Sequence, residues 1–424
     1  MIVGDGHWLS ADGSILLRVF NTLTMRKEEL PDPSGQEIKI FVCGPTVYDH
    51  AHLGHARTYL AVDMMARYLR FRGYRPQVLM NITDIDERII KKSKETGRTA
   101  REIASEFEKS FFEDMKALGI ETVDRFERAT DHVPEIVRQI EELISTGYAY
   151  ETETGVYFDV SKSPSYGQLS RQSKADLKLR RLELCSTKHH PEDFSLWRKF
   201  DEEPLWDSPW GKGRPGWHIE DTAISLKYFG SSYDIHAGGV ELVFPHHEAE
   251  IAQGEALSNK KPFVKYWIHT GMLNVGGVKM SKSLGNVVRI RDALSTCTPE
   301  ELRFPFAKTH YRRIASFSKS KLLQSRKELE SMRKIVKRLE TCSSQNAAGK
   351  SDLRLLGRLS RLEADFTAAM DDDLDTVRAL KLLSRFLRKT RSEIKSQTKY
   401  ASGTSETAVK RILALSSVIG VLAA

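Results

Sequence analysis

Three short stretches carry residues whose types and spacing suit chemistry. In "HLGH", His52 and His55 stand at i and i+3 with Gly54 between them. On the first turn of a helix two such imidazoles share a face and look toward the positive helix end, where phosphates are held. Gly54, having no side chain, lets a flat ring or a phosphate approach the backbone. In "KMSKS", Lys279 and Lys282 lie in a loop rimmed by Gly276, Gly277 and Gly285. A loop of that kind can close over a triphosphate and neutralise charge building on a departing pyrophosphate. The third stretch, "GWHIEDTAI", runs Gly216-Trp217-His218-Ile219-Glu220 into the acid Asp221. Read alone, Asp221 is open among a metal ligand, a catalytic acid and the mark of a site that has lost its chemistry. Each stretch also has a plainer reading: capping or packing histidines, a basic surface loop, a structural acid.

Residues so far apart need a scaffold to bring them together. "EIKIFVCGPTVYD" reads as a buried strand over Ile38–Val42 running into a Gly-Pro turn. The segment after it has helical periodicity, with Tyr59, Val62, Met65, Ala66 and Leu69 on one side and Gly73 at its end. "RPQVLMNITDID" gives a second strand. Strand, helix and strand in this order predict a βαβ unit and a parallel sheet, hence an α/β fold with ligands at the strand carboxyl ends. Between residues 131 and 200 the pattern loosens into short strands and the basic polar loop "KADLKLRRLELCSTKHHPED", which reads as an insertion. Strand-like runs return at "SYDIHAGG" and "YWIHTGMLNV". From 316 onward the chain reads as entirely helical: Leu322, Leu329, Met332, Val336 and Leu339 recur at helical spacing, as in a helix bundle, with 343–351 as a linker. The expected units are therefore 1–130 and 201–315 as two halves of a catalytic domain, 131–200 inserted between them, and 316–424 as an all-α bundle.

Composition narrows the class. The 424 residues suffice for two or three domains, and an apolar fraction of 40% with 29% charged residues describes a soluble globular chain. No apolar run is long enough to span a bilayer, and "MIVGDGHWLS" lacks the layout of a signal peptide, so a cytoplasmic location without membrane contact is expected. Cys43, Cys185, Cys297 and Cys342 lie far apart with no CxxC, which argues against a disulfide framework or a four-thiolate zinc site. The net charge of +8 is concentrated: eight Lys or Arg against three Glu between Lys319 and Glu340, and eight against one between Arg378 and Lys399. Such faces fit a polyanion such as RNA, or are simply solvated helix surfaces.

"HLGH" after a strand and "KMSKS" far downstream, in that order, resemble the signature pair of class I aminoacyl-tRNA synthetases. "FVCGPTVYD", "NITDID", "YGQLSRQ", "DFSLWR", "SPWGKGRPGWHIE", "FPHHEAEIAQ", "WIHTGM", "KMSKSLGN" and "HYR" then follow the order seen in cysteinyl-tRNA synthetases, and "AAMDDDLDT" at 368–376 resembles that family's helical-bundle motif. The resemblance runs from about Leu17 to about Leu380. It implies a Rossmann-type catalytic domain that activates L-cysteine with ATP, Mg2+ accompanying the nucleotide, and passes the cysteinyl group to the 3′ end of tRNA(Cys). His52, His55, Lys279 and Lys282 would be the catalytic residues, with Gly54, His52, His55 and Lys282 on ATP, in a protein expected to be a monomer.

The same resemblance implies a zinc site that grips the substrate thiolate, at positions occupied here by Cys43, Asp221, His246 and Glu250. His246 and Glu250, at i and i+4, can reach one cation from one helix face, and cysteine, imidazole and carboxylate are ordinary zinc ligands. A metal that seeks sulfur would also separate cysteine from serine. Family members carry Cys where this chain has Asp221. Three readings of that acid stand: a ligand, an N-cap or structural acid beside a three-ligand zinc, or a site without metal, the last opposed by the presence of the other three donors. Thr83, Trp217 and His236 resemble residues lining the cysteine pocket, with core packing as the plainer alternative for each. The family's "GGSDL" is here Gly238-Gly239-Val240-Glu241-Leu242, which puts any Asp-specific role in doubt. Cys185, Cys297 and Cys342 match no family motif and read as structural.

Family members usually continue past the bundle into a small anticodon-reading domain, whereas this chain stops at "ALSSVIGVLAA"; anticodon reading by such a domain is therefore not expected. Two other functions compete with tRNA charging. One is a cysteine ligase with a small-molecule amine acceptor, of the mycothiol-pathway type, which also lacks that domain. The other is a non-catalytic paralogue that binds RNA or senses cysteine, for which all of His52, His55, Lys279 and Lys282 would be unnecessary.

Overall fold

The computed structural model describes residues 2–3, 7–8, 16–33, 35–172, 187–341, 343–344, 349–396 and 399–422. An antiparallel hairpin, β1 (Arg18–Asn21) and β2 (Arg26–Glu29), leads into β3 (Glu37–Val42). Helix α1 (Leu53–Phe71) returns the chain to β4 (Arg75–Ile82), and α2 (Glu87–Thr96) and α3 (Ala100–Ala117) lead to β5 (Arg125–Arg128). After α4 (Val133–Ser145) come β6 (Ala149–Thr152), β7 (Gly155–Phe158), β8 (Phe194–Lys199) and β9 (Gly213–Pro215), an antiparallel sheet in the order β9-β8-β7-β6. The sheet extends past residue 200, because Gly213–Pro215 pairs back onto Trp197–Lys199. The loop at 173–186, with Cys185, lies outside the described residues.

The chain then rejoins the first sheet through α5 (Ile219–Phe229), β10 (Tyr233–Gly239), α6 (Glu248–Ser258) and β11 (Val264–Thr270). The five strands lie in the order β11-β10-β3-β4-β5, every neighbouring pair parallel. From β3 the chain first builds outward to β4 and β5, and later adds β10 and β11 on the other side. The strand order therefore reverses between β3 and β10, and the crevice beyond their carboxyl ends is where such sheets bind ligands. Buried Ile38, Ile40, Phe41 and Val42 with the fully buried β10 make this the centre of the sheet.

Strands β12 (Leu273–Val275) and β13 (Val278–Lys279) form the hairpin that delivers the lysine loop. After α7 (Ile290–Leu294) and α8 (Pro299–Ala307), β14 (Ala315–Phe317) pairs parallel with β12. Four helices follow: α9 (Lys319–Thr341), α10 (Lys350–Asp371), α11 (Thr376–Lys395) and α12 (Ser402–Ile419). All five apolar residues expected to face the bundle core, Leu322, Leu329, Met332, Val336 and Leu339, are buried. The region is not purely helical: Ala315–Phe317 is a strand, and Ser343–Ser344 pairs with Tyr400–Ala401, because loop backbones at the bundle ends satisfy each other's hydrogen bonds. Residues 345–348 of the 343–351 linker and Cys342 lie outside the described residues. Helix α1 departs from a one-sided pattern, being buried almost all round, Arg57 and Asp63 included. It is packed between β4 of the sheet and the helices α8 and α12, so water reaches it mainly at its carboxyl end, where Arg70 and Phe71 are exposed.

Candidate active site and metal centre

The two histidines of "HLGH" cap the helix they open. The Nδ1 of His52 accepts from the backbone N–H groups of Gly54 (3.1 Å) and His55 (3.3 Å), and the His52 N–H donates to His55 Nδ1 at 3.2 Å. This is a reciprocal capping box built from imidazoles. The capping reading and the catalytic reading therefore coexist. With both Nδ1 atoms accepting, each neutral ring carries its proton on Nε2, free for a ligand. The rings stack 3.8 Å apart at 3°. Burial pushes His52 below the ordinary imidazole range, and pushes His55 well below it, with His52 and Lys282 adding to the effect. Both are thus neutral donors at pH 7.

The lysine loop meets this helix end directly. The N–H of Leu53 donates to the Val288 carbonyl (2.9 Å) and that of Ile290 to the Ala51 carbonyl (3.0 Å), so the segment after "KMSKS" pairs with the segment entering α1. A Cβ on Gly54 would lie 2.9 Å from His52 Cε1 and 3.2 Å from Met280 Cε, which is why only glycine fits between the motifs. Lys282 Nζ is 2.7 Å from Asp49 Oδ2 and 4.1 Å from the centre of the Tyr48 ring. Against the opposing effect of burial, these two partners hold the Lys282 ammonium above its usual range. Lys279 is exposed, on β13, paired in register with Asn274.

Cys43 leaves the carboxyl end of β3, and the other expected metal ligands close on it. Asp221, on the first turn of α5, places Oδ2 3.2 Å from His246 Nε2, and Glu250 on α6 places Oε1 3.2 Å from the same nitrogen. Cys43 groups with His246 and His247, and Asp221 groups with His246 and Glu250, the ligand atoms of each set lying within 4.8 Å of one another. His246 stands in a kink just before α6 rather than on a regular turn, since Phe244 is extended and Pro245 follows it. His218 Nδ1 lies 2.9 Å from His246 Nδ1, which leaves Nε2 facing the carboxylates. Trp217 stacks on His246 at 4.5 Å.

These side chains fit a cation. Asp221, Glu220 and Glu250 are all buried, and among the described residues no Lys or Arg pairs with them. Asp221 Oδ1, Glu250 Oε1, His236 Nε2 and His247 Nε2 have no hydrogen-bond partner. Buried carboxylates without a counter-charge are costly, and a divalent cation among thiol, imidazole and carboxylates removes that cost. Without one, burial first, then the charges of Asp221, Glu250 and Glu220, push the Cys43 thiol well above its ordinary value. Burial and Asp221 likewise push Glu250 and Glu220 up.

His236 is fully buried in β10, its Nδ1 2.8 Å from the Tyr233 hydroxyl and 3.4 Å from Glu250 Oε2. Thr83, at the end of β4, donates its hydroxyl to Glu220 Oε1. A cavity of about 310 Å3 is lined by His52, His55, Lys282, Cys43, Thr83 and Trp217, among others. The structure thus brings His52, His55, Lys282, Cys43, Thr83 and Trp217 to one space at the sheet's reversal point, while Asp221, His236, His246 and Glu250 do not line it and Lys279 stays outside on its hairpin. Sequence reasoning gave no role of their own to Glu220, Asn81, His218, His247, His269 or Asp49. Asn81 fixes the Cys43 turn by accepting from Gly44 N–H at 2.6 Å, and His269 Nε2 lies 2.8 Å from His247 Nδ1. Glu220, His218 and His247 each sit next to a residue already chosen and Asn81 two positions before Thr83, and that proximity was the available signal. Cys297 is half-buried, its thiol donating to the Ala293 carbonyl at 3.2 Å, as a structural cysteine does.

The family of "tRNA synthetases class I (C) catalytic domain" matches residues 30–327. The chain is 50% identical over 339 residues to the cysteine–tRNA ligase of Thermoplasma acidophilum, covering 80% of this chain and 74% of that one. It is 42% identical to the cysteine–tRNA ligase of Staphylothermus marinus over 96% of this chain and 86% of that one. The chain belongs to the cysteinyl-tRNA synthetase family. It is a class I aminoacyl-tRNA synthetase, and the small-amine ligase and non-catalytic readings are not favoured. Solved structures agree on the fold alone. Mycobacterium tuberculosis methionyl-tRNA synthetase with methionyl-adenylate superposes with a TM-score of 0.67 at 15% identity, over 91% of this chain and 89% of that one. Agrobacterium radiobacter LeuRS, in its ternary complex, reaches 0.70 at 11% identity, over 93% and 86%. Among the described residues no helix is long and apolar enough to cross a membrane.

Proposed function

We propose that this synthetase charges tRNA(Cys) in two steps within the 310 Å3 cavity. A carboxylate oxygen of L-cysteine attacks the α-phosphorus of ATP, the bond to the β-phosphate breaks, and pyrophosphate leaves. The terminal ribose hydroxyl of tRNA then attacks the cysteinyl carbonyl and AMP departs. The observation that carries this reading is the shared cavity, in which the stacked neutral histidines and Lys282 face the same space as Cys43, Thr83 and Trp217.

Each residue has a role. His52 and His55 donate from Nε2 to phosphate oxygens as charge develops there, aided by the positive end of α1. Lys282 leaves Asp49 to meet the pyrophosphate, and Lys279 joins it when the glycine-rimmed loop closes. Gly54 lets the nucleotide lie against the helix end, where Mg2+ accompanies the phosphates. Cys43, Asp221, His246 and Glu250 would hold one zinc ion, which supplies a site preferring sulfur to a hydroxyl and so selects cysteine over serine. Trp217 walls the thiol pocket and His236 forms its floor. The protein acts as a cytoplasmic monomer.

The test is cysteine-dependent exchange of labelled pyrophosphate into ATP, followed by charging of a tRNA(Cys) transcript, with zinc counted in the same preparation. Exchange and charging by zinc-loaded protein, with serine inactive, are expected. Exchange without charging would move the acceptor to a small amine, and absence of exchange would remove the catalytic assignment.

A further inference from the structure

Two motifs of this chain have no part in the chemistry above: "HYR" at 310–312 and the acids of "AAMDDDLDT". The fold joins them. At the end of α10, Asp371, Asp372 and Asp373 reach into different parts of the catalytic domain. Asp371 accepts from the Tyr68 hydroxyl (2.6 Å) and pairs with Arg72, both near the end of α1. Asp372 pairs with Arg18 (2.9 Å) and Lys27 (2.7 Å) on the first hairpin.

Asp373 is fully buried and takes the largest set of partners. Its Oδ1 accepts from the Phe20 N–H (2.8 Å) and the Tyr311 hydroxyl (2.6 Å), and its Oδ2 from Arg312 Nε (2.7 Å), with His310 Nε2 at 3.5 Å. Asp373 and Leu374 both have left-handed backbones, φ +66° and +55°. Two consecutive non-glycine residues in that region are strained, and such strain persists only where surrounding bonds over-determine it. The carboxylate's bonds do so here.

The partners of Asp373 lead to the lysine loop. The Tyr311 carbonyl accepts from Gly271 N–H (2.8 Å), and the Ala315 N–H donates to the Met272 carbonyl (2.9 Å), so residues 311–315 seat the start of β12. There is no slack at that junction, since a Cβ on Gly271 would lie 2.4 Å from the Arg313 carbonyl oxygen. β12 pairs with β14 on one side and with β13, carrying Lys279, on the other. From the α1 side, buried Arg57 donates to the carbonyls of Phe306, His310, Tyr311 and Arg313. The 306–313 segment is thus clamped between the histidine-bearing helix and Asp373 of the bundle, and it bears the lysine hairpin.

We propose that Asp373 is a positioning residue for the Lys279–Ser283 loop, acting through Tyr311 and Arg312 to set the hairpin against the α1 end. This rests on the reading that the loop acts on ATP, and the test separates the two. Pyrophosphate exchange is measured for the wild type, Lys282→Ala, Asp373→Asn and their double variant, with Asp372→Asn as a neighbour control and thermal unfolding in parallel. Lys282→Ala is expected to lower kcat about 100-fold, as loss of a charge-stabilising group does. Asp373→Asn should lower kcat about 10-fold with KM for cysteine unchanged, since small misplacement of a reacting group is costly. In the Lys282→Ala background it should have almost no further effect. Asp372→Asn should leave kcat unchanged. If Asp373→Asn unfolds, Tyr311→Phe, which removes one bond to the carboxylate at nearly constant volume, enters the same cycle. Additive losses in the double variant, or an unchanged kcat for both Asp373→Asn and Tyr311→Phe, would overturn the proposal. An unchanged kcat for Lys282→Ala would refute the loop's action on ATP and the positioning role with it.

Discussion

Replacing Asp221 by Asn keeps the volume of a fully buried side chain and removes its charge. If Asp221 is a ligand, the variant loses one of four donors. Metal binding at structural zinc sites amounts to about 10–16 kcal/mol; an even share per donor is about 3 kcal/mol, or roughly 100-fold in Kd. The geometry supports a share of that size. Oδ2 sits 3.2 Å from His246 Nε2, Oδ1 has no other partner, and the Asn amide would present a donor where an acceptor stood. Competition with a chromophoric chelator should therefore show zinc held about 100-fold more weakly in Asp221→Asn. The KM for cysteine should rise while the KM for ATP stays within twofold, because His52, His55 and Lys282 are untouched. Asp221→Cys should recover tight binding. Unchanged zinc affinity in both Asp221→Asn and Asp221→Ala would refute the ligand assignment and leave Asp221 a structural acid beside a three-ligand site.

Further outcomes are expected. Removing zinc leaves Glu220, Asp221 and Glu250 buried with no cation, so a chelator should lower the Tm; at free metal 1,000-fold above Kd the linked stabilisation is about 4 kcal/mol, read by denaturant titration with and without chelator. Gly54→Ala would force a methyl group to 2.9 Å from His52 and 3.2 Å from Met280, so kcat for pyrophosphate exchange should fall about 10-fold or more with the fold intact by circular dichroism. Asp63→Asn breaks a buried pair with Arg303 (2.7 Å) that also holds Arg67, and should cost about 3–5 kcal/mol in urea unfolding. Burial pushes His269 down to about 3. The unfolded chain therefore binds a proton below about pH 6.5 that the folded chain refuses, so stability is full above that pH and falls below it. Between pH 7.5 and 5.5 this group should account for a loss of about 1.4 kcal/mol, and His269→Gln should flatten the denaturation profile by that amount.

Order along the chain was enough to find the histidine pair that opens α1. His52 and His55 are three residues apart on one helix turn, so local geometry places them together whatever the rest of the fold does. The strand before them, the bundle face of α9 and the insertion were legible for a similar reason, since period and composition are properties of neighbouring residues. The capping role of the two imidazoles was not legible as a partner to their chemistry, because it depends on ring nitrogens and not on residue type.

The sequence by itself determined the family, the α/β order of elements and which donors exist for a metal. Only the tertiary structure decided how they meet. Cys43, Asp221, His246 and Glu250 come from the end of β3, the start of α5, a kink and α6. They converge because β10 is inserted beside β3, a pairing across some two hundred residues that no local pattern encodes. The same holds for Asp373 and Tyr311, and for the burial of most of α1, which makes the Arg57 guanidinium gather carbonyls where a surface arginine would have met water. Residue types set what chemistry is available; long-range packing removes the water and supplies the partners that make it specific.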